Sequence, residues 1–467
     1  MRIKQLIYSC ALTAFAMASF NASAESVDVN AAQAAAGRFI QKNMPAKLRS
    51  SATPSVRLAY TEKSSVQDNA YYVFNIDGGG WVIIAGYDKA KEVLAYGTEG
   101  SIDVNAMPDN MKGYLKMLKG QIETAQAYKG KTVPVKATKR STAVGPLLKT
   151  RWGQGEPWNR LCPVNGNGQT TSVGCAPLAM AQVVYYWKYP NEVPELPTYP
   201  GTGYQWYPSM PATTFDFDLI VDAYRYYDPV TGNPVVADYT EEQANEVAKL
   251  SRYCGQACKS RYGNNGTSTG SYSYDQRTAF KLFGYNENLQ LIGKDPSYYN
   301  DNSNKYSIED WCELIRIELE AGRPIPYHDM WEGHAWVLDG VDADGKFHMN
   351  WGFNGKFDGW YEIDALAFHP YDDDEIWDFS QSSNSGNEMI IGCYPYEGYV
   401  IPGDTTYEVG DVNRSGVIDI DDITALIAYV LNPTESDIDT TLADLTGEGV
   451  VDVDDVVNLI TRVLGTK

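Results

Sequence analysis

A duplicated segment near the end of the chain constrains its fold more than any other feature. Residues 411–432 and 444–465 align at a spacing of 33 residues, with 10 identities in 22 positions. In both copies an acidic loop precedes apolar residues spaced i, i+3, i+4, i+7 and i+8, which share one face of a helix. These apolar residues are Ile423, Leu426, Ile427, Val430 and Leu431 in the first copy and Val456, Leu459, Ile460, Val463 and Leu464 in the second. The repeat therefore predicts two loop–helix units that pack against each other.

The loop before each helix carries oxygen donors at the spacing of an EF-hand-like calcium loop. Positions 1, 3, 5, 9 and 12 are Asp411, Asn413, Ser415, Asp419 and Asp422 in the first loop, and Asp444, Thr446, Glu448, Asp452 and Asp455 in the second. Glycine holds position 6, where such a loop turns sharply. We predict structural Ca²⁺ in both loops, with weaker binding in the second because Thr446 is a poor ligand. The alternative is that these acids only form a solvated face and cap the helices.

Residues 404–467 resemble a type I dockerin module, since each loop has Asp at position 12 and no helix before it. The resemblance implies a small all-α calcium-binding domain that docks to a cohesin-type protein. A module that only stabilises the chain is the alternative. The segment has 14 acidic and 3 basic residues, a net charge of −11 out of −22 for the whole chain. This balance argues against a nucleic-acid partner or an anionic membrane.

The N-terminus has the pattern of a secretory signal. A basic start precedes an apolar stretch at 6–20 that is too short to span a membrane, and small residues at 22–24 offer a cleavage site. A lipid anchor on Cys10 is the alternative. No later stretch reaches the roughly 20 apolar residues of a membrane span. We expect residues 1–24 to be a signal peptide and the protein to be secreted, extracellular or associated with the cell surface.

The region after the signal has the pattern of a small α+β unit followed by a linker. A helix is expected near Asn30–Lys42, strands at Tyr71–Ile76 and Trp81–Ala85 around a Gly-Gly-Gly turn, a further strand at Lys91–Tyr96, and a helix over 108–129. Residues 129–145 are rich in basic side chains and poor in apolar ones, which is typical of an exposed, cleavable linker. Residues 146–400 predict one large α+β domain.

Cys175 stands where a reactive cysteine is expected. A Gly-Cys pair opens a helical run that ends before Pro190, so Cys175 lies at a helix N-terminus, where the dipole favours a thiolate. The alternative is a small buried hydrophobe at a helix start. Among the other cysteines, Cys254 and Cys258 stand four residues apart and are either a disulfide or two buried thiols.

A nucleophilic thiolate needs an imidazole partner, and the chain has four histidines. His334 opens a short strand in WEGHAWVLDG (331–340), and Asn350 ends the next strand in KFHMNWG (346–352). In a hairpin, Asn350 can hold the His334 ring in one tautomer, and Trp351 can shield that hydrogen bond from water.

The other polar candidates carry weaker signals. His348 is a less favoured base, while His328 and His369 lie in loop-like sequence and are expected on the surface. Gln154 can offer its side-chain amide to an oxyanion, beside the backbone N–H of Cys175. A surface glutamine is the alternative reading of Gln154.

Four segments in this order resemble the streptopain family of papain-like cysteine proteases: WGQGEPWN (152–159), the Gly-Cys-Ala helix opening at 174–176, GHAWVLDG (333–340) and FHMNWGFNGKFDGWYEIDAL (347–366). The resemblance implies an α+β papain-like domain that cleaves proteins or peptides without a catalytic cofactor. It implies Cys175 as nucleophile, His334 as base, Gln154 as oxyanion donor, and Asn350 with Trp351 orienting the histidine. Phe353 departs from the second tryptophan that is usual in this family.

Residues 71–100 resemble the propeptide of the same family, which implies an N-terminal inhibitor released near Lys139-Arg140. The predicted organisation is a signal peptide (1–24), an inhibitory propeptide (25–140), a papain-like peptidase domain (141–400) and a dockerin-like module (404–467). The predicted function is a secreted cysteine endopeptidase made as an inactive zymogen. The alternatives are a non-catalytic adhesin or scaffold subunit that binds through its tail, and an enzyme that transfers acyl groups to amines.

Overall fold

The fold is taken from a computed structural model. The description covers residues 26–45, 48, 55–135, 143–201, 206–263, 266–329, 333–372, 375–376, 386–395, 409–413, 418–432, 438 and 440–464. The signal segment 1–24 and the predicted release site Lys139-Arg140 lie outside these residues. In the described part of the chain, no helix has both the length and the apolar character required to cross a bilayer.

Nine helices are described. They are α1 (Val29–Asn43), α2 (Asp109–Ala127), α3 (Cys175–Trp187), α4 (Glu241–Ala257), α5 (Ser273–Leu282), α6 (Ile308–Glu320), α7 (Ile420–Leu431), α8 (Thr440–Ala443) and α9 (Val453–Leu464). A short 3₁₀ turn spans Val104–Ala106.

The described strands fall into one large sheet and several small ones. The large sheet contains β1 (Val56–Lys63), β2 (Asn69–Ile76), β3 (Trp81–Ala85), β4 (Val93–Gly97), β14 (Gln290–Gly293), β15 (Ile325–Asp329), β16 (His334–Val341), β17 (Phe347–Asn350), β18 (Gly359–Tyr361) and β21 (Asn387–Ile391). The small sheets contain β5 (Lys131–Pro134), β6 (Glu192–Val193), β7 (Tyr199–Pro200), β8 (Trp206–Tyr207), β9 (Thr213–Thr214), β10 (Arg225–Tyr227), β11 (Pro234–Val236), β12 (Arg261–Tyr262), β13 (Thr269–Gly270), β19 (Phe368–Asp372) and β20 (Glu375–Ile376).

The large sheet joins the N-terminal region to the later part of the chain. Its ten strands have the order β1-β2-β3-β4-β18-β17-β16-β15-β21-β14. The junction is the antiparallel pair β4–β18, in which Tyr96 faces Trp360 and Ala95 faces Tyr361. Backbone hydrogen bonds therefore join the two predicted domains in one sheet. The sequence of each segment taken separately does not predict this pairing.

Apolar cores cover both faces of this sheet. Helices α2 and α6 pack on one face, where Leu118 and Trp311 meet Trp336 and Met349 in a core built from both regions. Helices α3, α4 and α5 form a second core on the other face with Val337. Helix α1 closes the opposite face of β2 and β3 in a third, smaller core.

Most elements predicted for the N-terminal region are confirmed. The helix, the β2–β3 hairpin through the three glycines, the following strand and the second helix all form. Strand β1, in a stretch for which no strand is predicted, pairs with β2. The predicted linker is structured at both ends: β5 pairs with β19, and Val144 pairs with Val341, because partners distant in sequence satisfy its backbone.

The two helices predicted in the tail are present and pack against each other. Helices α7 and α9 share a small core that includes Ile423, Leu426, Val456 and Leu459. Two further positions of the predicted apolar face stay exposed, at 39% for Ile427 and 79% for Leu431.

Candidate active site and calcium loops

Cys175 is the first residue of helix α3. Gly174 before it has φ +97°, and a Cβ there would meet Thr269 at 3.1 Å, so glycine is needed at the turn into the helix. No side chain caps α3. Burial raises the pKa of the Cys175 thiol, and the backbone N–H groups of Ala335, Ala176 and Cys175 lower it in part. In the full chain, the Cys175 thiol is therefore protonated at neutral pH.

The start of strand β16 lies against Cys175. Ala335 directs its backbone N–H at the Cys175 sulfur, and its neighbour His334 is half-buried at the first position of the strand. Strand β15 fixes this edge, because Asp329 pairs with His334 and His328 pairs with Ala335. The structure thus brings His334 to the helix terminus that carries Cys175.

Gln154 lies in the loop next to the segment that precedes Cys175. Its backbone carbonyl accepts a hydrogen bond of 3.0 Å from the N–H of Val173, and its side chain is half-buried. The neighbouring carbonyl of Trp152 accepts from the N–H of Asn354 at 2.8 Å. These two bonds hold the glutamine loop between the start of α3 and the segment after Trp351.

Asn350 is paired with Val337 across the β16–β17 hairpin, as predicted for neighbouring strands. Its Nδ2 donates to the carbonyl of Thr150 at 2.8 Å, and its Oδ1 accepts from the N–H of Gly352 at 3.1 Å. Thr150 in turn donates to Gln182 on α3 at 2.7 Å. Asn350 therefore fixes the hairpin to the helix that begins at Cys175, and its Oδ1 retains a second lone pair.

Trp351 is fully buried in an aromatic cluster instead of an open cleft. Its indole packs 5.1 Å from Trp336 and 5.2 Å from Tyr361, measured between ring centroids, and its Nε1 donates to the carbonyl of Phe357 at 3.1 Å. Helix α2 completes the cluster: Tyr114 stacks edge-on at 5.8 Å, and Asn110 donates to the Trp351 carbonyl at 2.9 Å.

His348 belongs to a separate charged cluster. Its Nδ1 lies 2.6 Å from Oδ1 of the buried Asp339, and this carboxylate raises the pKa of His348 against the opposing effect of burial. Burial raises the pKa of the nearby Asp358 to about 7. His348 and Asp358 line a cavity of about 560 Å³ between the N-terminal region and the later domain, together with Arg151 and Glu99, which form an ion pair of 2.6 Å. Asn350 lines this cavity too.

The expectation that His328 and His369 lie on the surface is wrong. His328 is 4% exposed in β15 and His369 is 6% exposed in β19, where it pairs with Glu309 at 2.8 Å. Their segments look irregular in sequence, but both are strands covered by helices.

His328 belongs to a buried hydrogen-bonded chain behind Cys175. Its Nε2 lies 2.6 Å from Oε1 of Gln276, whose Nε2 donates to the carbonyl of Ala176 at 2.6 Å. The amide orientation leaves only an acceptor for His328, so the ring is the Nε2–H tautomer. Burial lowers the pKa of His328 to about 3, and the ring is neutral.

The first acidic loop places carboxylates near one another, since Asp411 and Asp419 both act on Asp422. Asp411 is 2% exposed, and Asp422 is fully buried and accepts from the N–H groups of Asp419 at 2.8 Å and Asn413 at 3.2 Å. Burial, together with the adjacent Asp411 and Asp419, raises the pKa of Asp422 to about 7, although the two N–H donors lower it in part. Clustered buried carboxylates of this kind fit a hard cation. Ser415 lies outside the described residues.

The second loop has the same plan. Asp444 accepts from the N–H groups of Gly447, Glu448 and Gly449, and Asp455 accepts from those of Thr446 and Asp452 at 2.9 Å. The hydroxyl of Thr446 donates to Asp455 at 3.1 Å. Carboxylate oxygens of Glu448, Asp452 and Asp454 lie within 4.8 Å of one another, so Asp454, at position 11 and not among the predicted ligands, faces the loop as well. This all-oxygen set also fits calcium.

Comparison with known families decides what kind of protein this is. Residues 152–361 match the Peptidase C10 family. This segment is a C10 peptidase domain. Residues 24–122 match the Spi protease inhibitor family, and residues 409–464 match the dockerin type I domain. The chain is thus a cysteine peptidase that carries an inhibitor-type domain before its C10 domain and a dockerin domain after it.

Relatives and solved structures agree with this assignment. Streptopain of Streptococcus pyogenes is 29% identical over 350 residues, which cover 70% of this chain and 82% of streptopain. The thiol protease/hemagglutinin PrtT of Porphyromonas gingivalis is 26% identical over 78% of this chain and 41% of its own length. The structure of a prointerpain A fragment from Prevotella intermedia has a TM-score of 0.55 and 28% identity, covering 73% of this chain and 99% of that fragment. The predicted papain-like α+β fold of the C10 domain is confirmed.

Several residues around the C10 site carried no signal in the sequence. Gln276 lies far from the motifs, His328 lies just before GHAWVLDG, and Tyr114 lies in a different predicted domain. His328 had one cue, because it follows Ile325, Pro326 and Tyr327 in the segment that forms the buried strand β15. The contacts of these residues with the site join segments that are more than 50 positions apart in the sequence.

Proposed function

We propose that this protein is an endopeptidase made as an inactive precursor, with Cys175 as nucleophile and His334 as its base. The observation that carries the proposal is the backbone N–H of Ala335 directed at the Cys175 sulfur. Because His334 is the preceding residue of the same strand, the one candidate imidazole from the family motif lies beside the helix terminus of the candidate nucleophile.

The reaction follows from these positions. His334 takes the proton of the Cys175 thiol, and the thiolate attacks the carbonyl carbon of the peptide bond to form a tetrahedral oxyanion. The N–H of Cys175 and the side-chain amide of Gln154 donate to that oxyanion. His334 returns the proton to the leaving amine, which leaves a thioester on Cys175. Water activated by His334 then hydrolyses the thioester and frees the thiol.

Asn350 and Trp351 support the base in this proposal. Asn350 is anchored to Thr150 through Nδ2, so its Oδ1 can accept from the His334 ring while the amide keeps its place. Trp351 packs beneath the hairpin and excludes water from it. In the precursor Trp351 also contacts helix α2, because its carbonyl accepts a hydrogen bond from Asn110 at 2.9 Å.

Residues 25–140 act as the inhibitory propeptide, 141–400 as the catalytic unit and 404–467 as the docking module. Two features support inhibition by the N-terminal part. Its strands extend the sheet of the C10 domain through β4–β18, and in this form burial keeps the Cys175 thiol protonated. A protonated thiol is a poor nucleophile, so the precursor is inactive until the propeptide is removed.

The tail binds Ca²⁺ through its two loops and docks to a cohesin-type protein. Asp411, Asn413, Ser415, Asp419 and Asp422 hold one ion, and Asp444, Thr446, Glu448, Asp452 and Asp455 hold the other. Calcium supplies structural rigidity here and takes no part in peptide hydrolysis. A signal peptide at 1–24 directs the protein out of the cell, where it acts as a secreted or surface-associated enzyme.

Casein hydrolysis by the processed protein under reducing conditions tests the catalytic proposal. We expect Cys175→Ala and His334→Ala to reduce kcat by about a thousandfold or more, since each removes one half of the nucleophilic pair. Iodoacetamide should abolish the wild-type activity. A folded, reduced, processed protein without hydrolytic activity would refute the proposal and favour a binding role, while full activity in Cys175→Ala would remove that residue from the mechanism.

A further inference from the structure

Arg323 is a buried cation on the C10 domain that faces the dockerin tail. It follows helix α6 and is 6% exposed. Its guanidinium lies 3.2 Å from Glu318 and 5.2 Å above the ring of Tyr394. Glu318 in turn accepts from the N–H of Gly392 at 2.8 Å. Arginine in such a setting is rigid, because its side chain is held on two sides before the tail approaches.

The first repeat of the tail contacts the Arg323 guanidinium. Oδ2 of Asp419 lies 3.5 Å from the Arg323 guanidinium, with the Asp419 side chain 24% exposed. Two residues later, Oδ2 of Asp421 accepts a hydrogen bond of 3.1 Å from the hydroxyl of Tyr394. The contact therefore joins one cation and one phenol of the C10 domain to two carboxylates of the first acidic loop.

The Asp419 carboxylate has two competing partners, Arg323 and a calcium ion in the first loop. It is position 9 of the first proposed calcium loop, and its other oxygen caps helix α7 by accepting from the N–H of Asp421 at 2.9 Å. The oxygen that is left faces Arg323. A divalent ion held by the same carboxylate would stand a few ångströms from a buried guanidinium, and the two positive charges would repel each other strongly in this partly desolvated place.

We propose that Arg323 and Ca²⁺ compete for Asp419, so that the tail is docked on the C10 domain without calcium and is released from it when calcium binds the first loop. The proposal rests on the calcium-binding function proposed above. Competition of this kind is reciprocal: calcium binding weakens docking by the same factor by which docking weakens calcium binding. Release would free the first repeat for its partner protein.

The second repeat provides an internal contrast. Asp452 occupies the position that corresponds to Asp419, and its carboxylate lies near those of Glu448 and Asp454. Within the described ranges, no lysine or arginine forms an ion pair with Asp452. Calcium binding by the second loop is therefore independent of the C10 domain, and only the first loop is coupled to docking.

Calorimetric titration of the full chain with CaCl₂ tests the competition. All proteins carry Cys175→Ala to prevent self-digestion, and Glu448→Gln with Asp452→Asn so that the first loop alone is measured. Arg323→Gln should tighten calcium binding by about fivefold, since it removes the competing charge. Tyr394→Phe keeps all charges and removes only the hydrogen bond to Asp421, so about a twofold gain is expected. Lys249→Gln, whose contacts with Glu246 and Phe215 lie inside the C10 domain, is the matched control and should change nothing.

A second readout follows the tail itself. Small-angle X-ray scattering of the same proteins should show a larger radius of gyration with calcium than with chelator. In Tyr394→Phe the expansion should begin at lower calcium. If calcium binds the first loop with one affinity in the parent, Arg323→Gln and Tyr394→Phe, competition is refuted while calcium binding stands. If none of these proteins takes up calcium, the calcium function of the first loop is refuted together with this inference.

Discussion

At Cys175 two physical effects oppose each other. The helix terminus and three backbone N–H groups favour the thiolate, whereas burial in the precursor favours the neutral thiol and prevails. The group that both effects act on is the nucleophile proposed for the reaction. Its protonation state therefore depends on how deeply it is buried, and under the proposed function removal of the N-terminal region reduces that burial.

Alkylation of Cys175 as a function of pH tests this balance. Burial raises the pKa of Cys175 above the ordinary thiol value of about 9. The thiol of the precursor therefore becomes reactive only at a pH above about 9. Removing residues 25–140 should shift the midpoint to lower pH and increase the labelling rate at pH 7.5 by about tenfold or more. The measurement is iodoacetamide labelling of the Cys175 peptide by mass spectrometry. Identical pH profiles before and after processing would contradict the expectation.

Asp358 should make the precursor more stable in mild acid than at alkaline pH. Burial raises its folded-state pKa to about 7, so the folded state binds this proton more tightly than the unfolded chain does. The resulting stability is full below pH 4 and is lost as pH rises through 7. Asp358→Asn mimics the protonated form and should raise Tm by a few degrees at pH 8, about 1 kcal/mol, with little change at pH 5. An equal change at both values of pH would show that titration is not the cause.

At the scale of elements, helix α2 determines how tightly the propeptide is held. It lies on the sheet with Met111, Leu118 and Ile122 buried, and its Gln121 accepts from the N–H of Ala365 at 2.8 Å. Tyr114 is the centre of this contact, with its ring edge-on to Trp336, Trp351 and Tyr361 and its hydroxyl donating to the carbonyl of Glu362. The inhibitor-type domain and the C10 domain therefore share one core.

Tyr114→Ala should weaken this shared core strongly. Loss of a fully buried aromatic ring costs about 3–5 kcal/mol in the free energy of unfolding, and a thermal melt of the precursor should show it. Tyr60→Ala on β1 is the control, because that ring is 36% exposed and its described contact is a hydrogen bond to Glu62. The control should change stability by about 0.5 kcal/mol or less. A similar loss in both variants would mean that α2 is not a principal contact.

At the scale of the whole molecule, the covalent linker is only one of several connections between propeptide and C10 domain. The β4–β18 and β5–β19 pairs cross the boundary. Buried charges cross it as well: Lys91 lies 2.8 Å from Glu362, which also pairs with Lys346 at 3.0 Å. Breaking the chain within 136–142 leaves all of these contacts in place.

Cleavage of the linker alone should therefore not separate the two parts. In a Cys175→Ala chain with a specific protease site inserted after Arg140, both fragments should elute together from a size-exclusion column after cutting. They should separate only when denaturant disrupts the shared core or when the propeptide is digested further. Elution of a free propeptide directly after cutting would contradict the continuous sheet as the main connection.

Short-range patterns in the sequence determined much of this protein. The Gly-Cys pair and the apolar run to Pro190 predicted α3 with Cys175 at its start, and the repeat predicted an acidic loop before each of helices α7 and α9. These features depend on contacts within about a dozen residues, where chain geometry follows from the order of side chains. The family motifs supplied the type of fold and the type of enzyme in the same way.

Only the tertiary structure decided which segments meet. It placed His328 and His369 in covered strands, joined two predicted domains in one sheet, gave Asn350 a partner in Thr150, and set Arg323 against Asp419. Each of these contacts links residues far apart in the chain, and many surfaces compete for the same partner. Burial, pKa and charge pairing are properties of the assembled surroundings, so the order of residues along the chain does not by itself fix them.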